Sequence, residues 1–302
     1  MKKILILLLG ILLFGTLVYA ANSTVTQQVI VNVLPGEFYV YSPIQDHIYS
    51  YKSIYLNLSM SAEVDYFKFT DNGGRSTTLC HGCSSYSRKK LFSDGFHQVD
   101  IFGVFTSGEV HKYINFTVDS LKPKIIKTLP KKNSKVNNSA EFYVKYTELN
   151  LNQTILHLNG DNFIINCPSG KYLECVTNID LSKYDGQKIE YWFKLTDIAG
   201  NSASSKKYLI NVDTTPPQLT ITSPENISYW KYVPFNITVN EKVDLKYSDN
   251  SGRWRTLCYD CLGYGDTRKK QILFKTGFHE LLIRATDTAG NSVQKNTSLV
   301  IA

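Results

Sequence analysis

The sequence predicts an all-β protein built from three tandem β-sandwich units that follow a signal peptide. Three observations predict this architecture: a segment that occurs twice, apolar residues that alternate along short runs, and a composition that favours strands. The chain has 302 residues, of which 20 are tyrosine and only two are methionine. Tyrosine, threonine, valine and isoleucine are the residues that pack well on a pleated surface. No segment shows a convincing amphipathic helix.

The repeated segment is the strongest of these observations. Residues 71–80 (DNGGRSTTLC) match residues 249–258 (DNSGRWRTLC) at seven of ten positions. The match continues through RKK at 88–90 and 268–270 and through GFH at 95–97 and 277–279. A diverged middle copy is visible because YWFKLTDIAGNSAS (191–204) aligns with LLIRATDTAGNSVQ (281–294). Self-similarity of this kind predicts copies of one structural unit.

Alternating apolar residues predict the strands of each unit. A two-residue period places one side of a strand in the core and the other towards solvent. Short runs of this type, separated by Gly, Asn, Asp and Pro, are typical of a β-sandwich. The residues predicted to point inwards are Ile54, Leu56, Leu58 and Met60 in the first copy, Ile189, Tyr191, Phe193 and Leu195 in the second, and Val233, Phe235, Ile237 and Val239 in the third.

Proline marks the ends of the units. A Leu-Pro or Ser-Pro pair opens each unit, and proline also follows the last strand of the first two, where it ends the strand and stiffens the connection. The predicted division is a signal peptide at 1–20, an extended strand or linker at 21–36, unit 1 at 37–119, unit 2 at 120–213 and unit 3 at 214–302, with the opening prolines at Pro43, Pro130 and Pro224.

The N-terminus predicts export. Lys2 and Lys3 precede a short apolar run, and Val18 and Ala20 supply small residues before a cleavage site after Ala20. The alternative is an uncleaved segment that anchors the chain in a membrane. The formal net charge is +7, and loss of both lysines with the signal peptide leaves +5. A mildly basic exported chain without a nucleic-acid motif is expected to meet acidic surface polymers rather than nucleic acid.

Asn-X-Ser/Thr sequons predict glycans on an exported protein. The alternative is that Asn, Ser and Thr simply share turns and exposed strand faces. Together with the short signal peptide, the sequons suggest an archaeal source. The chain has eight, at Asn22, Asn57, Asn115, Asn137, Asn152, Asn226, Asn236 and Asn296, and the glycosylation candidates among them are Asn57, Asn115, Asn236 and Asn296.

The segments TDIAGN (196–201) and TDTAGN (286–291), each followed by a last strand, resemble bacterial and archaeal Ig-like surface repeats. The resemblance implies a hairpin turn at Asp-x-Ala-Gly-Asn, and Gly, Asn and Asp suit such a turn. It also implies a structural role for His97 and His279 in the Gly-Phe-His segments. Unit 1 departs from the pattern because it has FTSGEV (105–110) at the corresponding place.

Six cysteines fall into three local pairs, one in each unit. In an oxidising compartment this pattern predicts three disulfides, Cys80–Cys83, Cys167–Cys175 and Cys258–Cys261. The middle pair is wider, so tight spacing is not required, as it would be in a zinc knuckle or a redox motif. Zinc held by the two CxxC pairs and CxxC redox chemistry remain the alternatives.

We expect no catalytic residue, no cofactor and no metal site. Asp94 with His97 is a conceivable acid–base pair, but no repeated nucleophile accompanies it. Asp119 and Asp213 lie at the joints between units, and resembling repeats in some adhesins bind calcium between domains. Only one or two carboxylates are near each joint in sequence, whereas calcium takes six to eight oxygens. The basic triplets (88–90 and 268–270) and the aromatic residues Trp230, Trp254, Tyr259 and Tyr264 are predicted to be surface features, with contact to acidic polymers or sugars as the alternative.

The leading functional hypothesis is a non-enzymatic extracellular or cell-surface protein for adhesion, ligand presentation or envelope structure. Its partner would be a surface polysaccharide or a protein, and self-association is open. The first alternative is a filament or surface-layer subunit, in which the N-terminal strand (21–36) inserts into a neighbouring molecule by β-strand donation. The second is a secreted CxxC redox or zinc protein.

Overall fold

The computed structural model describes residues 37–265 and 270–302. The predicted signal peptide and N-terminal strand lie outside this part of the chain, as do Arg268 and Lys269 of the second basic triplet. The described residues are all-β, as predicted, with one 3₁₀ turn at Ser182–Tyr184. None of their helical segments has the length and apolar character needed to cross a membrane.

The first six strands belong to unit 1 and form one sheet in the order β1-β3-β5-β6-β2, with β4 paired to β3. Strand β3 is long, and its first half pairs with β1 while its second half pairs with β5. The strands are β1 Phe38–Ser42, β2 Ile48–Tyr49, β3 Ser53–Asp71, β4 Thr77–Leu91, β5 Gly95–Phe105 and β6 Gly108–Val118.

Unit 2 has two separate sheets that face each other, β12-β9-β7 and β11-β10-β13-β15-β8, with β14 paired to β13. Its strands are β7 Lys124–Leu129, β8 Lys135–Val136, β9 Glu141–Glu148, β10 Leu151–Leu158, β11 Asp161–Ile165, β12 Gly170–Asn178, β13 Lys188–Asp197, β14 Ser202–Ser204 and β15 Tyr208–Val212.

Unit 3 repeats the topology of unit 1, in the order β16-β18-β21-β22-β17, with β19 and β20 paired to β18. Each of the three units also has a cis X-Pro bond at the proline predicted to open it. The strands of unit 3 are β16 Leu219–Ser223, β17 Ser228–Tyr229, β18 Tyr232–Asp249, β19 Arg255–Tyr264, β20 Lys270–Leu273, β21 Gly277–Asp287 and β22 Ser292–Ile301.

Strands β3 and β18 are longer than the short strands that the sequence predicts. The register of β3 against β4 shifts between Ser59 and Val64, and that of β18 against β19 shifts between Thr238 and Val243. Such bulges bend a strand, so that one continuous strand serves both layers of a sandwich. In unit 2, Leu149 and Asn150 interrupt the corresponding path, and β9 and β10 are therefore separate strands.

Among the described residues, each unit has its own hydrophobic core, and no core contains buried residues from two units. The inward-pointing residues predicted for units 1 and 2 are all buried. In unit 3, Val233, Phe235 and Ile237 are buried, whereas Val239 is partly buried against the core. The three cores agree with the predicted number of units, and the boundaries between units remain a prediction.

Candidate functional site at the joints between units

The end of one unit meets the Asp-x-Ala-Gly-Asn turn of the next unit at two joints. At the first joint, the side-chain amide of Asn201 donates to the backbone oxygen of Asp119 at 2.7 Å. At the second, the amide of Asn291 donates to the backbone oxygen of Asp213, also at 2.7 Å. The turn residue that the resemblance assigns to a hairpin therefore also holds the preceding unit.

Each of these turns is fixed by its own aspartate. Asp287 Oδ1 accepts the backbone N–H groups of Ala289, Gly290 and Asn291 at 2.7–2.9 Å, and Oδ2 accepts the Asn291 amide at 2.8 Å. Asp197 accepts the backbone and side-chain N–H groups of Asn201 in the same way. Because the asparagine is held on one side by its turn, its other N–H has a fixed direction towards the joint.

A second contact secures each joint from the side of the preceding unit. Asp94 accepts the backbone N–H and the hydroxyl of Ser120 at 2.8 and 2.7 Å, and Lys52 lies 2.7 Å away. The hydrogen bond from Lys52, followed by the two hydrogen bonds from Ser120, lowers the pKa of Asp94 to about 2. The carboxylate therefore stays charged, and keeps its hold on the connecting segment, down to acid pH.

The second joint has an equivalent contact. Asp185 accepts the backbone N–H of Thr214 at 2.6 Å and the hydroxyl of Thr215 at 2.9 Å. These hydrogen bonds, that of the Thr214 N–H above all, lower the pKa of Asp185. Asp94 and Asp185 both precede a glycine, whereas Thr276 occupies that position in unit 3.

Three carboxylates come together at each joint, and their side-chain oxygens lie within 4.8 Å of one another. Residues far apart in sequence supply them, which is why counting the acids near each joint finds too few. The two sets are Asp119, Glu148 and Asp197 at the first joint and Asp213, Glu241 and Asp287 at the second.

The first set is buried, with exposed fractions of 6% for Asp119 and Glu148 and 1% for Asp197. Burial raises the pKa of Glu148, and the negative charges of Asp119 and Asp197 raise it further. The hydrogen bond from the backbone N–H of Asn150 acts in the opposite direction. The pKa of Glu241 is raised in the same way, by burial and then by Asp213 and Asp287.

Carboxylate oxygens are the ligand type that calcium and magnesium prefer. Each set offers three carboxylates of the six to eight oxygens that calcium takes. In unit 1, Ala62 stands at the position of Glu241 and Phe105 at that of Asp287. Both carboxylate sets thus lie where one unit follows another. Aligning the repeats could have revealed them, because the acidic residues at these positions are missing from unit 1.

The structure joins the six cysteines in the three predicted pairs, Cys80–Cys83, Cys167–Cys175 and Cys258–Cys261. Each pair lies against the core of its unit. The two CxxC pairs are in different units, at β4 and β19. No cysteine in the described residues has a free thiol.

The two histidines of the Gly-Phe-His segments do not pair with Asp94. His97 Nδ1 contacts the carboxylate of Asp71 at 2.8 Å, and Nε2 lies 2.9 Å from the backbone oxygen of Ser93. His279 makes the same two contacts in unit 3. Both ring nitrogens have partners within the fold, which fits the structural role implied by the resemblance.

The glycosylation candidates differ in exposure. Asn296 is exposed on β22, and Asn57 is half-buried on β3 between strands β1 and β4. Asn115 and Asn236 are also half-buried, and the side-chain oxygen of each is buried without a hydrogen-bond partner. Glycosylation at these positions remains a prediction, and Asn296 presents its amide most openly.

No protein-family model matches the chain, and no curated protein is significantly similar to it. Among solved structures, it resembles the titin I-band fragment I67–I69 with 14% identity and a TM-score of 0.44, over 89% of this chain and 99% of that one.

Two further solved structures resemble the chain at similarly low sequence identity. The Clostridium thermocellum CbhA fibronectin(III)-like modules give 15% identity and a TM-score of 0.34, over 59% of this chain and 95% of theirs. The chicken CNTN1 FN1–FN3 domains give 10% identity and a TM-score of 0.36, over 87% and 98%. At these values the similarities carry no functional argument, and the fold rests on the strand order and cores described above.

Proposed function

We propose that this chain is a non-enzymatic, exported protein that holds Ig-like modules in a fixed series at the cell surface, for adhesion, ligand presentation or envelope structure. The observation that carries the proposal is the repeated joint. Asn201 and Asn291 make the same hydrogen bond to the preceding unit, and Asp94 and Asp185 secure the connecting segments. A chain that keeps the same contacts at both joints is suited to setting the spacing and direction of its modules.

The histidines and cysteines of the described residues support a structural rather than a catalytic role. His97 and His279, the residues most suited to acid–base chemistry, have both nitrogens engaged inside their units. The cysteines are paired, which favours neither zinc ligation nor thiol chemistry. Disulfides in the described part of the chain also agree with an oxidising compartment outside the cytosol.

The filament alternative has less support. The N-terminal strand that it needs lies outside the described residues. In the described part of unit 3, the last strand, β22, pairs with β21 along its length and with β17 at its end. That strand position is therefore filled by the chain's own residues, and donation would require another edge.

Immunogold labelling of native cells tests the proposal. We expect label on the outer face of the cell envelope and no maleimide-reactive thiol in the native protein. A variant that lacks residues 2–20 is the matched control and should stay inside the cell with reactive thiols. Native protein found in the cytosol with six reactive cysteines would contradict the proposal.

A further inference from the structure

Unit 3 has a cavity of about 830 Å³ at the end of its sandwich that is opposite the joint with unit 2. Buried Phe274 and Ile301 line its apolar floor. Trp230 and Leu273 stand beside them with 83% and 52% of their surfaces exposed. An indole with so much exposed surface at the mouth of a cavity of this size is typical of a site for a small ligand.

The polar lining is mostly basic. Lys231, Arg255 and Lys275 are all exposed, and the one side-chain carboxylate in the lining belongs to Asp249. His279 Nδ1 lies 2.9 Å from both oxygens of that carboxylate. Three side-chain cations therefore line the cavity against a single side-chain carboxylate, which already has a partner, so the charge of the side chains favours an anionic ligand.

Unit 1 provides an internal comparison because its corresponding residues make the same backbone contacts. The N–H of Phe92 donates to Lys52 O and that of Phe274 donates to Lys231 O, so Tyr51 corresponds to Trp230. His97 Nε2 contacts Ser93 O as His279 Nε2 contacts Lys275 O, so Ser93 corresponds to Lys275.

The same alignment pairs the other residues that line the cavity with residues of unit 1, and the two units differ in charge at these positions. Thr77 corresponds to Arg255, and Asp94 corresponds to Thr276. Unit 3 has thus gained two cations and lost one carboxylate relative to unit 1. In unit 1, Asp94 holds the segment that leads into unit 2, so this end of the sandwich serves a joint. In unit 3, Thr276 stands in place of this aspartate, and the side chains that line the cavity are mostly basic.

The other aromatic residues singled out in the sequence are less available. The guanidinium of Arg284 lies 4.0 Å from the ring centre of Trp254, and Lys270 lies 4.5 Å from that of Tyr264. Tyr259 is exposed, but it lies on β19 and does not line the cavity. Trp230 is the indole that combines an open face with neighbouring cations.

We propose that this cavity binds an acidic saccharide of the uronic-acid type, an inference that rests on the proposed surface function. The indole of Trp230 would stack on the apolar face of a sugar ring. Lys231, Arg255 and Lys275 would pair with the ring carboxylates through charge-assisted hydrogen bonds. A neutral sugar would use only the stacking surface, and an acidic peptide would use only the charges.

The test uses the full exported chain and compares trigalacturonate with neutral maltotriose by titration calorimetry and tryptophan fluorescence. We expect trigalacturonate to bind and maltotriose to bind at least about tenfold more weakly, since one charge-assisted contact accounts for a factor of that order. Trp230→Ala should weaken binding by about tenfold or more, the loss expected for an anchor residue, and abolish the fluorescence change. Arg255→Gln should weaken binding and reduce its salt dependence.

Tyr51→Ala is the matched control, because Tyr51 is the counterpart of Trp230 in unit 1, and it should bind as the wild type does. All three side chains are exposed, so thermal melts should confirm that each variant folds. The proposal is overturned if trigalacturonate fails to bind, if Tyr51→Ala loses as much as Trp230→Ala, or if triglutamate competes with equal affinity. Surface labelling with no saccharide binding would overturn this inference alone, whereas cytosolic native protein would overturn the proposed function.

Discussion

The side-chain amide of Asn291 donates to the backbone oxygen of Asp213 at 2.7 Å, and Asn201 makes the same hydrogen bond to Asp119 at the other joint. In each case the asparagine also belongs to a turn that its own aspartate fixes. Because the turn fixes the position of the asparagine, the hydrogen bond between the two units also has a fixed geometry.

Asp94→Asn should destabilise the chain at neutral pH by about 1 kcal/mol or less, the size of an exposed ion pair. The folded-state pKa of Asp94 is depressed to about 2, so its contribution is present above the ordinary carboxylate pKa and is lost as pH falls through the folded value. Denaturant unfolding at pH 7 and at pH 2 measures the difference between variant and wild type.

The control for this prediction is Asp260→Asn, which removes an ion pair with Lys242 that is more exposed than that of Asp94 with Lys52. Asp260→Asn should have little effect at either pH. A loss for Asp94→Asn that is equally large at pH 2 and pH 7 would mean that the charge is not its cause.

Glu148→Gln should raise the unfolding midpoint at pH 7, measured with a chelator so that no cation offsets the repulsion. A carboxyl whose folded-state pKa is raised makes its most favourable contribution at low pH, and that contribution is lost as pH rises through the folded value. The gain from Gln should therefore vanish in acid. Glu174→Gln is the matched control, because Lys145 lowers the pKa of Glu174 and the effect should have the opposite sign. Destabilisation by Glu148→Gln at pH 7 would contradict the account of the joint.

Local patterns were sufficient to predict much of the fold. Alternation identified Leu56 and Phe193 as core residues, because strand neighbours determine which face is buried. The full length of β3 is not predicted, because the alternation from Ile54 to Met60 indicates only its first part as a strand. The meeting of Asp119, Glu148 and Asp197 depends on how separate strands and a turn pack, and no single stretch of sequence records it.

The repeats carried more information than the motifs did. Phe105 in place of Asp287 shows that unit 1 differs from the units that follow another unit. Aligning units 1 and 3 likewise points to the basic cavity, because Arg255 and Lys275 stand where unit 1 has uncharged residues. Their position around one cavity follows from the strand register, which the sequence alone did not define.

Replacing both Cys80 and Cys83 with alanine should lower the free energy of unfolding by about 2 kcal/mol at most, because the disulfide closes a very short loop. The core of unit 1 lies beneath the β3–β4 hairpin and should persist without the staple. Chemical denaturation gives the loss, and peptide mapping without reductant identifies the pairs in the parent protein. A link between Cys80 and Cys258, or complete unfolding of the double variant, would contradict the local pairing.

The most direct test of fixed joints is a distance measurement between units 1 and 2 by double electron–electron resonance. Spin labels carried by noncanonical amino acids at the exposed positions of Lys112 and Lys188 leave the disulfides intact. We predict a single narrow distance distribution that Asn201→Ala broadens and that Asn291→Ala, which acts at the other joint, leaves unchanged. A broad distribution in the wild type, or one that Asn201→Ala does not alter, would contradict the claim that these asparagines hold the units in a fixed series.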